Sequence, residues 1–180
     1  MSSSDEIIDI VDEHDHVVRQ ATRGEAYAKG LRHRCVFVLA RDADDRIFVH
    51  RRTPTKAAFP SHYDMFVGGV VDAGETYDDA ALREAEEELG VSGLPRPVPL
   101  FTFLYDAEEG RWWSRVYEVR CVLPVSPQLE EIDWHAFLTD AELERRLAEN
   151  AEGAGDGGRR WTPDGLMAYE LLKAARTRDA

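Results

Sequence analysis

The stretch from Gly68 to Gly90 constrains this chain more than any other. A glycine-rich turn, Gly68-Gly69-Val70-Val71-Asp72-Ala73-Gly74-Glu75, runs into Arg83-Glu84-Ala85-Glu86-Glu87-Glu88-Leu89-Gly90. Thr76 stands where a helix N-cap belongs, with Asp79 three residues on, and Gly90 occupies the C′ position that favours glycine. Between these caps a helix turns by about 100° per residue, so Glu84, Glu87 and Glu88 stack in one sector. Leu82, Ala85 and Leu89 form the neighbouring stripe and are expected to face the core. Glu86 points elsewhere, toward solvent. The carboxylate sector therefore borders the buried face.

Three acids in one sector repel one another, and like charges at i, i+4 destabilise a helix by a few tenths of a kcal/mol. A hard divalent cation offsets that repulsion. Mg²⁺ takes oxygen ligands in octahedral geometry and fills its remaining positions with water and substrate phosphate. Arg83, four residues before Glu87, is placed to hold that carboxylate's orientation. Read alone, the acidic run is also an ordinary solvated helix surface, and Gly-Gly turns are common. It is their combination at this spacing that points to chemistry.

The rest of the chain supplies a scaffold. Residues 6–12 and 16–22 alternate as a β-hairpin, and a short helical turn follows, ended by Gly30. Cys35-Val36-Phe37-Val38-Leu39-Ala40 is apolar without alternation, the pattern of a central strand buried on both faces. The turn Asp42-Ala43-Asp44-Asp45 leads to a returning strand over 46–52, and 63–67 reads as another strand before the glycine turn. Two longer strands, 99–105 and 112–123, flank a turn containing Glu108-Glu109-Gly110. Thr139 caps a helix through Leu147, and Thr162-Pro163-Asp164 opens a last helix with Leu166, Tyr169, Leu172 and Ala175 as its buried stripe. Residues 151–158, rich in glycine, read as the most mobile internal loop. Strands around one central helix, with further helices late, give an α/β fold: an α/β/α sandwich on a mixed sheet, in one domain spanning 1–180.

The central stretch matches Gly, five residues, Glu, seven residues, then Arg-Glu-aliphatic-any-Glu-Glu-any-Gly-aliphatic. Gly69, Glu75, Arg83, Glu84, Ala85, Glu87, Glu88, Gly90 and Val91 fill the slots, with Ala85 small for its aliphatic position. This is the Nudix box, over 69–91, and the chain strongly resembles the Nudix hydrolase superfamily. Around it, residues 1–30 form an N-terminal hairpin extension and 162–177 a C-terminal helix. The resemblance implies an α/β/α sandwich, dependence on Mg²⁺ or Mn²⁺, and hydrolysis of a diphosphate linked to another moiety. It implies that Glu84, Glu87 and Glu88 bind metal, one of them serving as base in some members, with the carbonyl of Gly68 completing the site. It gives Glu75 the role of a supporting loop acid and Arg83 that of orienting a glutamate. The mechanism implied is attack of an activated water on phosphorus, cations lowering that water's pKa. Members often draw a further ligand or base from outside the box; Glu108, Glu109, Glu130 and Glu131 are the candidates.

Upstream, Arg51-Arg52-Thr53-Pro54-Thr55-Lys56 followed by Phe59-Pro60 is similar to a segment of isopentenyl-diphosphate isomerases, which share the Nudix fold. That resemblance makes Arg52 and Lys56 diphosphate contacts, Arg as a planar fork and Lys as a point charge. Isomerase activity itself is disfavoured. The isomerase Cys-Gly-His-Pro stretch here reads Gly68-Gly69-Val70-Val71, without the catalytic cysteine or its metal-binding histidine. His33 resembles another isomerase ligand but lacks that partner. The expectation is an isomerase-like Nudix hydrolase cleaving a phosphoanhydride in a nucleoside diphosphate derivative, nucleotide or similar small phosphorylated metabolite. The non-enzyme alternative is a ligand-sensing Nudix domain, which an intact box argues against. Specificity is expected from 53–62, 105–115 and 125–135, with at most one of Trp112 and Trp113 in the site.

A net charge of −13 argues against a nucleic-acid surface, though local Arg and Lys can still admit an anionic substrate. No apolar run approaches the roughly 18 residues of a membrane span. The start lacks the basic and apolar regions of a signal peptide, and Cys35 and Cys121 in apolar runs read as buried free thiols, so a cytoplasmic location is expected. The hairpin and the Trp pair would allow a homodimer.

Overall fold

The structure, a computed structural model, describes residues 3–152 and 160–178. Strands β1 (Ile7–Val11) and β2 (Val17–Thr22) form the expected antiparallel hairpin, a two-stranded sheet of its own. Thr22 caps α1 (Arg23–Lys29) by accepting from Glu25 N, and Gly30 ends it in the left-handed region at φ 59°. The larger sheet comprises β3 (His33–Arg41), β4 (Ile47–Arg52), β5 (Tyr63–Asp64), β6 (Val67–Val70), β7 (Val98–Ala107), β8 (Gly110–Arg120) and β9 (Ile132–Leu138). Three helices complete the fold: α2 (Tyr77–Leu89), α3 (Asp140–Glu152) and α4 (Pro163–Arg178).

β3 is the central strand, for the reason its sequence gives. Alternate side chains point to opposite faces. Cys35 and Leu39 enter a core shared with Ile47, Val49, Leu143 and Tyr169, whereas Val36, Val38 and Ala40 enter one shared with Ala81, Ala85 and Leu89. The sheet therefore carries α2 on one face and packs α3 and α4 on the other. β3 pairs in parallel with β8 and antiparallel with β6, and meets β4 only at Arg41↔Ile47. β4 and β6 thus share one edge of β3 and part from each other. β9 and β5 continue the sheet from β4, and β7 continues it from β8.

Two expectations are corrected. The strand read over 63–67 is two short strands, interrupted where Asp64 Oδ1 accepts from Phe66 N at 2.9 Å. The glycines Gly68 and Gly69 belong to β6 and not to a turn; the chain reverses only at 72–75, where Glu75 N donates to Asp72 O. Alternation cannot separate a strand containing two glycines from a glycine-rich loop.

The N-terminal hairpin is docked onto its own domain. Ala73 N donates to Ile7 O at 2.9 Å, Gly74 N to Asp9 Oδ2 at 3.0 Å, and Tyr77 Oη to Asp15 Oδ2 at 3.0 Å. These bonds clamp the turn that leads into α2. Thr76 caps that helix as expected, accepting from Asp79 N at 3.1 Å, and Gly90 closes it at φ 63°; such a cap is worth about 1 kcal/mol. Thr139 and Glu142 form a reciprocal capping box at α3. Most of the glycine-rich stretch at 151–158 lies outside the described residues. No helix among the described residues is long and apolar enough to cross a membrane.

Candidate functional site

The space where β4 parts from β6 is the edge of a cavity of about 900 Å³. Gly68, Gly69, Arg83, Glu84, Glu87 and Glu88 of the central stretch line it, and so do Arg52, Lys56 and Phe59. Each segment expected to carry specificity contributes: Lys56 from the first, Glu109 and Trp112 from the second, Glu130 and Glu131 from the third. Glu108 does not line it. Of the tryptophan pair only Trp112 does, while Trp113 Nε1 donates to Asp12 O at 3.3 Å and helps hold the hairpin.

The two glycines of β6 are what let α2 lie so close. Gly69 faces the helix, and a Cβ there would stand 2.6 Å from the carboxylate of Glu84. Gly68, at φ 152°, donates its N–H to Glu88 Oε2 at 3.1 Å, and a Cβ on it would overlap the carbonyl oxygen of Val36.

The three box glutamates share a face but not an environment. Glu88 is 6% exposed, the Glu84 side chain 15% and the Glu87 side chain 52%. Burial, then the charge of Glu88, pushes Glu84 up to about 7 against the pull of Arg83. Burial also raises Glu88, opposed by Lys56 and Arg52. Glu86 is not simply solvated: its Oε1 accepts from Gly93 N at 2.6 Å and Leu94 N at 2.9 Å, tying down the loop after the helix.

Arg83 holds different partners from the one its spacing suggested. It grips Glu75 bidentately, Nε to Oε1 at 2.9 Å and Nη2 to Oε2 at 2.8 Å, and donates Nη1 to Glu84 Oε1 at 2.7 Å. Glu87 is reached only at 3.5 Å. A bidentate arginine–carboxylate pair fixes geometry better than a helix i, i+4 contact between half-exposed side chains, so the loop acid wins. Glu75 Oε2 in turn accepts from Asp72 N at 3.1 Å.

Opposite these acids stand two cations. Lys56 Nζ lies 3.9 Å from Glu88 Oε1 and is in contact with Glu131. Burial depresses its pKa, and Glu88 partly restores it. Arg52 spends its Nε on Ala58 O at 3.1 Å. Its guanidinium favours the ionised forms of Glu88 on one side and of Asp64 and Asp164 on the other.

The residues fit a divalent cation by donor type: two nearly buried carboxylates whose repulsion is only partly met by Arg83 and Lys56, a third on the rim, and a backbone carbonyl at Gly68. Among the described residues, no three acidic, imidazole or thiol groups already converge on one point. The ammonium of Lys56 supplies part of the compensating charge. His33 takes no part: it is buried, its Nδ1 lies 3.0 Å from Leu31 O, and its ring packs between Tyr27 and Trp112.

Sequence reasoning missed several residues of the cavity. Arg23 enters from α1, and Asp64, Thr162 and Asp164 form its far wall. Thr162 reads as a helix cap, but its hydroxyl donates to Asp64 Oδ2 at 2.8 Å. No motif joins positions nearly a hundred residues apart. Both cysteines are buried and free, as expected.

The comparisons with known proteins agree with this geometry. Residues 31–163 match the NUDIX domain family. An uncharacterized Nudix hydrolase of Streptomyces coelicolor is 67% identical over 179 residues, covering 98% of this chain and 93% of its own. The uncharacterized Nudix hydrolase YfcD of Escherichia coli is 35% identical over 169 residues, covering 94% of this chain and 87% of its own. The crystal structure of DR0079 from Deinococcus radiodurans superposes with a TM-score of 0.72 at 30% identity, over 92% of this chain and 98% of that one. A box intact in sequence, folded onto a glycine strand and matched along nearly the whole chain, places this protein in the Nudix pyrophosphohydrolase family.

Proposed function

We propose that this protein is an isomerase-like Nudix hydrolase that uses Mg²⁺ or Mn²⁺ to cleave a phosphoanhydride bond in a nucleoside diphosphate derivative, nucleotide or similar small phosphorylated metabolite. The observation that carries the reading is that buried box carboxylates and the cations Arg52 and Lys56 line one cavity. Glu84, Glu87, Glu88 and the carbonyl of Gly68 would hold the cation, which when bound lowers the pKa of water and neutralises charge on phosphoryl oxygens. Arg83 and Glu75 are positioning residues. By taking Oε1 of Glu84, Arg83 fixes that carboxylate and leaves Oε2 to face the cation or the attacking water. Arg52 offers its free guanidinium nitrogens to phosphate oxygens, and Lys56 exchanges Glu131 for the substrate's charge.

Isomerase activity is opposed by Gly68, where the isomerase cysteine would stand. A Cβ there overlaps Val36 O, so this strand has no room for a cysteine side chain. The test is release of phosphate or a nucleoside monophosphate from a broad panel of diphosphate compounds with each metal. Wild type should turn over at least one class, and Glu88→Gln should lose on the order of 100-fold or more in kcat while keeping its Tm. Failure of the wild type across the panel with both metals would sink the reading.

A further inference from the structure

The end of the cavity away from the box carries a second pair of buried acids with a different setting. Asp64 and Asp164 are each 7% exposed. Asp64 is fully engaged: Oδ1 accepts from Phe66 N at 2.9 Å and Oδ2 from the Thr162 hydroxyl at 2.8 Å. These bonds lock the start of α4 against the end of β5. Gly165 makes the join close, since a Cβ on it would stand 2.8 Å from Asp64 Oδ1. Asp164 is held only locally, by the Gly165 N–H at 2.9 Å and its own backbone N–H. Among the described residues no other side chain donates to it, although it lines the cavity.

Two neighbours extend this wall. Glu109, from the turn between β7 and β8, accepts from Tyr105 Oη at 3.2 Å and is near enough to raise Asp164. Trp112 is 7% exposed, and its indole Nε1 is buried with no hydrogen-bond partner among the described residues. Its ring lines the cavity and stacks on Tyr105. Phe59, Phe66 and Tyr27 line the same cavity with flat apolar surface.

The two ends are therefore opposite in what they lack. The box end offers cations to phosphate. The far end offers carboxylate oxygens and aromatic walls; among the described residues no lysine or arginine is hydrogen-bonded to either aspartate, and Arg52 reaches both only through its charge. Burial raises Asp64 to about 7, the charge of Asp164 adding to it, and burial raises Asp164 to about 6. A ligand that donates hydrogen bonds relieves such a pair, whereas an anion would worsen it.

We propose that this far end binds the non-phosphate half of the substrate, and that it selects a heteroaromatic ring bearing an amino group, with Asp164 as the acceptor that reads the amine. The assignment rests on the phosphoanhydride reading for the other half of the cavity and names the substrate class that the box leaves open. A site built to accept from an amine rejects the analogue carrying oxygen in its place, because two acceptors then face each other without a proton between them.

Equilibrium binding of monophosphates tests this without requiring turnover. Cytidine and uridine monophosphate form one matched pair, adenosine and inosine monophosphate another, each exchanging an amino group for an oxygen and the adjacent ring acceptor for an N–H. Wild type should bind the amino member of each pair about tenfold or more tightly. Asp164→Asn should weaken the amino member and tighten the oxygen member of each pair, the amide nitrogen donating to the carbonyl, so that each pair falls within about twofold. Glu109→Gln, at an exposed position that should not disturb folding, should narrow the preference about threefold. Equal binding of both members by wild type overturns the proposal, and so does equal weakening of all four ligands by Asp164→Asn. An amino preference in a protein that hydrolyses no diphosphate would leave this assignment standing and remove the hydrolase reading. Turnover of cytidine and uridine diphosphates with equal kcat/KM would do the reverse.

Discussion

The two acidic ends of the cavity use the same functional group under opposite conditions. At the box end, Glu84 and Glu88 come from one helix, and Arg83 and Lys56 answer them with charge. At the far end, Asp64 and Asp164 come from different elements and are answered by neutral donors: a backbone N–H, a hydroxyl and the N–H of Gly165. Charged counterparts keep a carboxylate ready to exchange partners with a metal or a phosphate. Neutral hydrogen-bond partners, with Arg52 acting only at a distance, leave these acids partly uncompensated, which favours a donor-bearing ligand over an anion. The chemistry at each end follows from what surrounds the acids more than from the acids themselves.

The largest effect that would break this contrast is steric. Gly69→Ala puts a Cβ where the Glu84 carboxylate lies, at 2.6 Å, so either the strand or the glutamate must shift. A displacement near 1 Å in a catalytic group can lower turnover about 100-fold. The expected result is a fall in kcat of that order, with little change in the affinity of a nucleoside monophosphate at the far end. Steady-state kinetics and equilibrium binding on the same preparation check it. Equal losses in both would mean that the two ends are one mechanical unit.

That separation also explains what was legible in the sequence. The box could be read because its geometry is local: helical spacing gathers Glu84, Glu87 and Glu88, and Thr76 and Gly90 mark the helix ends. The central strand was equally plain from its unbroken apolar run. What could not be read was depth and partnership. Spacing put Arg83 beside Glu87, but Arg83 turned to Glu75 and Glu84 because the turn at 72–75 folds back under it. Glu87 and Glu88 are adjacent in sequence and on the same helical sector, yet one is half exposed and the other buried, because β6 covers only one of them. The far end was invisible, since Asp64 and Thr162 meet only through tertiary packing.

A smaller effect sharpens the contrast through pH. The carboxyl of Asp64 is raised by burial to about 7 in the folded chain, against about 3.9 when unfolded. The folded state therefore holds a proton that the unfolded state has lost between these values, and stability falls as pH rises through that window. Glu84, near 7, and Asp164, near 6, act with the same sign, while His50, lowered by burial to about 3, and His33, also lowered by burial, oppose them up to the ordinary imidazole range. Without divalent cation, Tm should decline from pH 5 to pH 8, at no more than about 1.4 kcal/mol per pH unit for each proton involved. Asp64→Asn should flatten the decline and stabilise the protein at pH 8, the Thr162 hydroxyl turning to accept from the amide. Added Mg²⁺ should remove the part of the slope due to Glu84 and leave the part due to Asp64. An Asp64→Asn slope no flatter than that of wild type would contradict the burial of this acid.

The most direct test of the division between the ends is Mn²⁺ binding, followed by electron paramagnetic resonance or calorimetry in the absence of substrate. The box end should bind the ion, Glu88→Gln should weaken binding on the order of 100-fold, and Asp164→Asn should leave it unchanged. Unaltered binding in Glu88→Gln, or its loss in Asp164→Asn, would contradict the account.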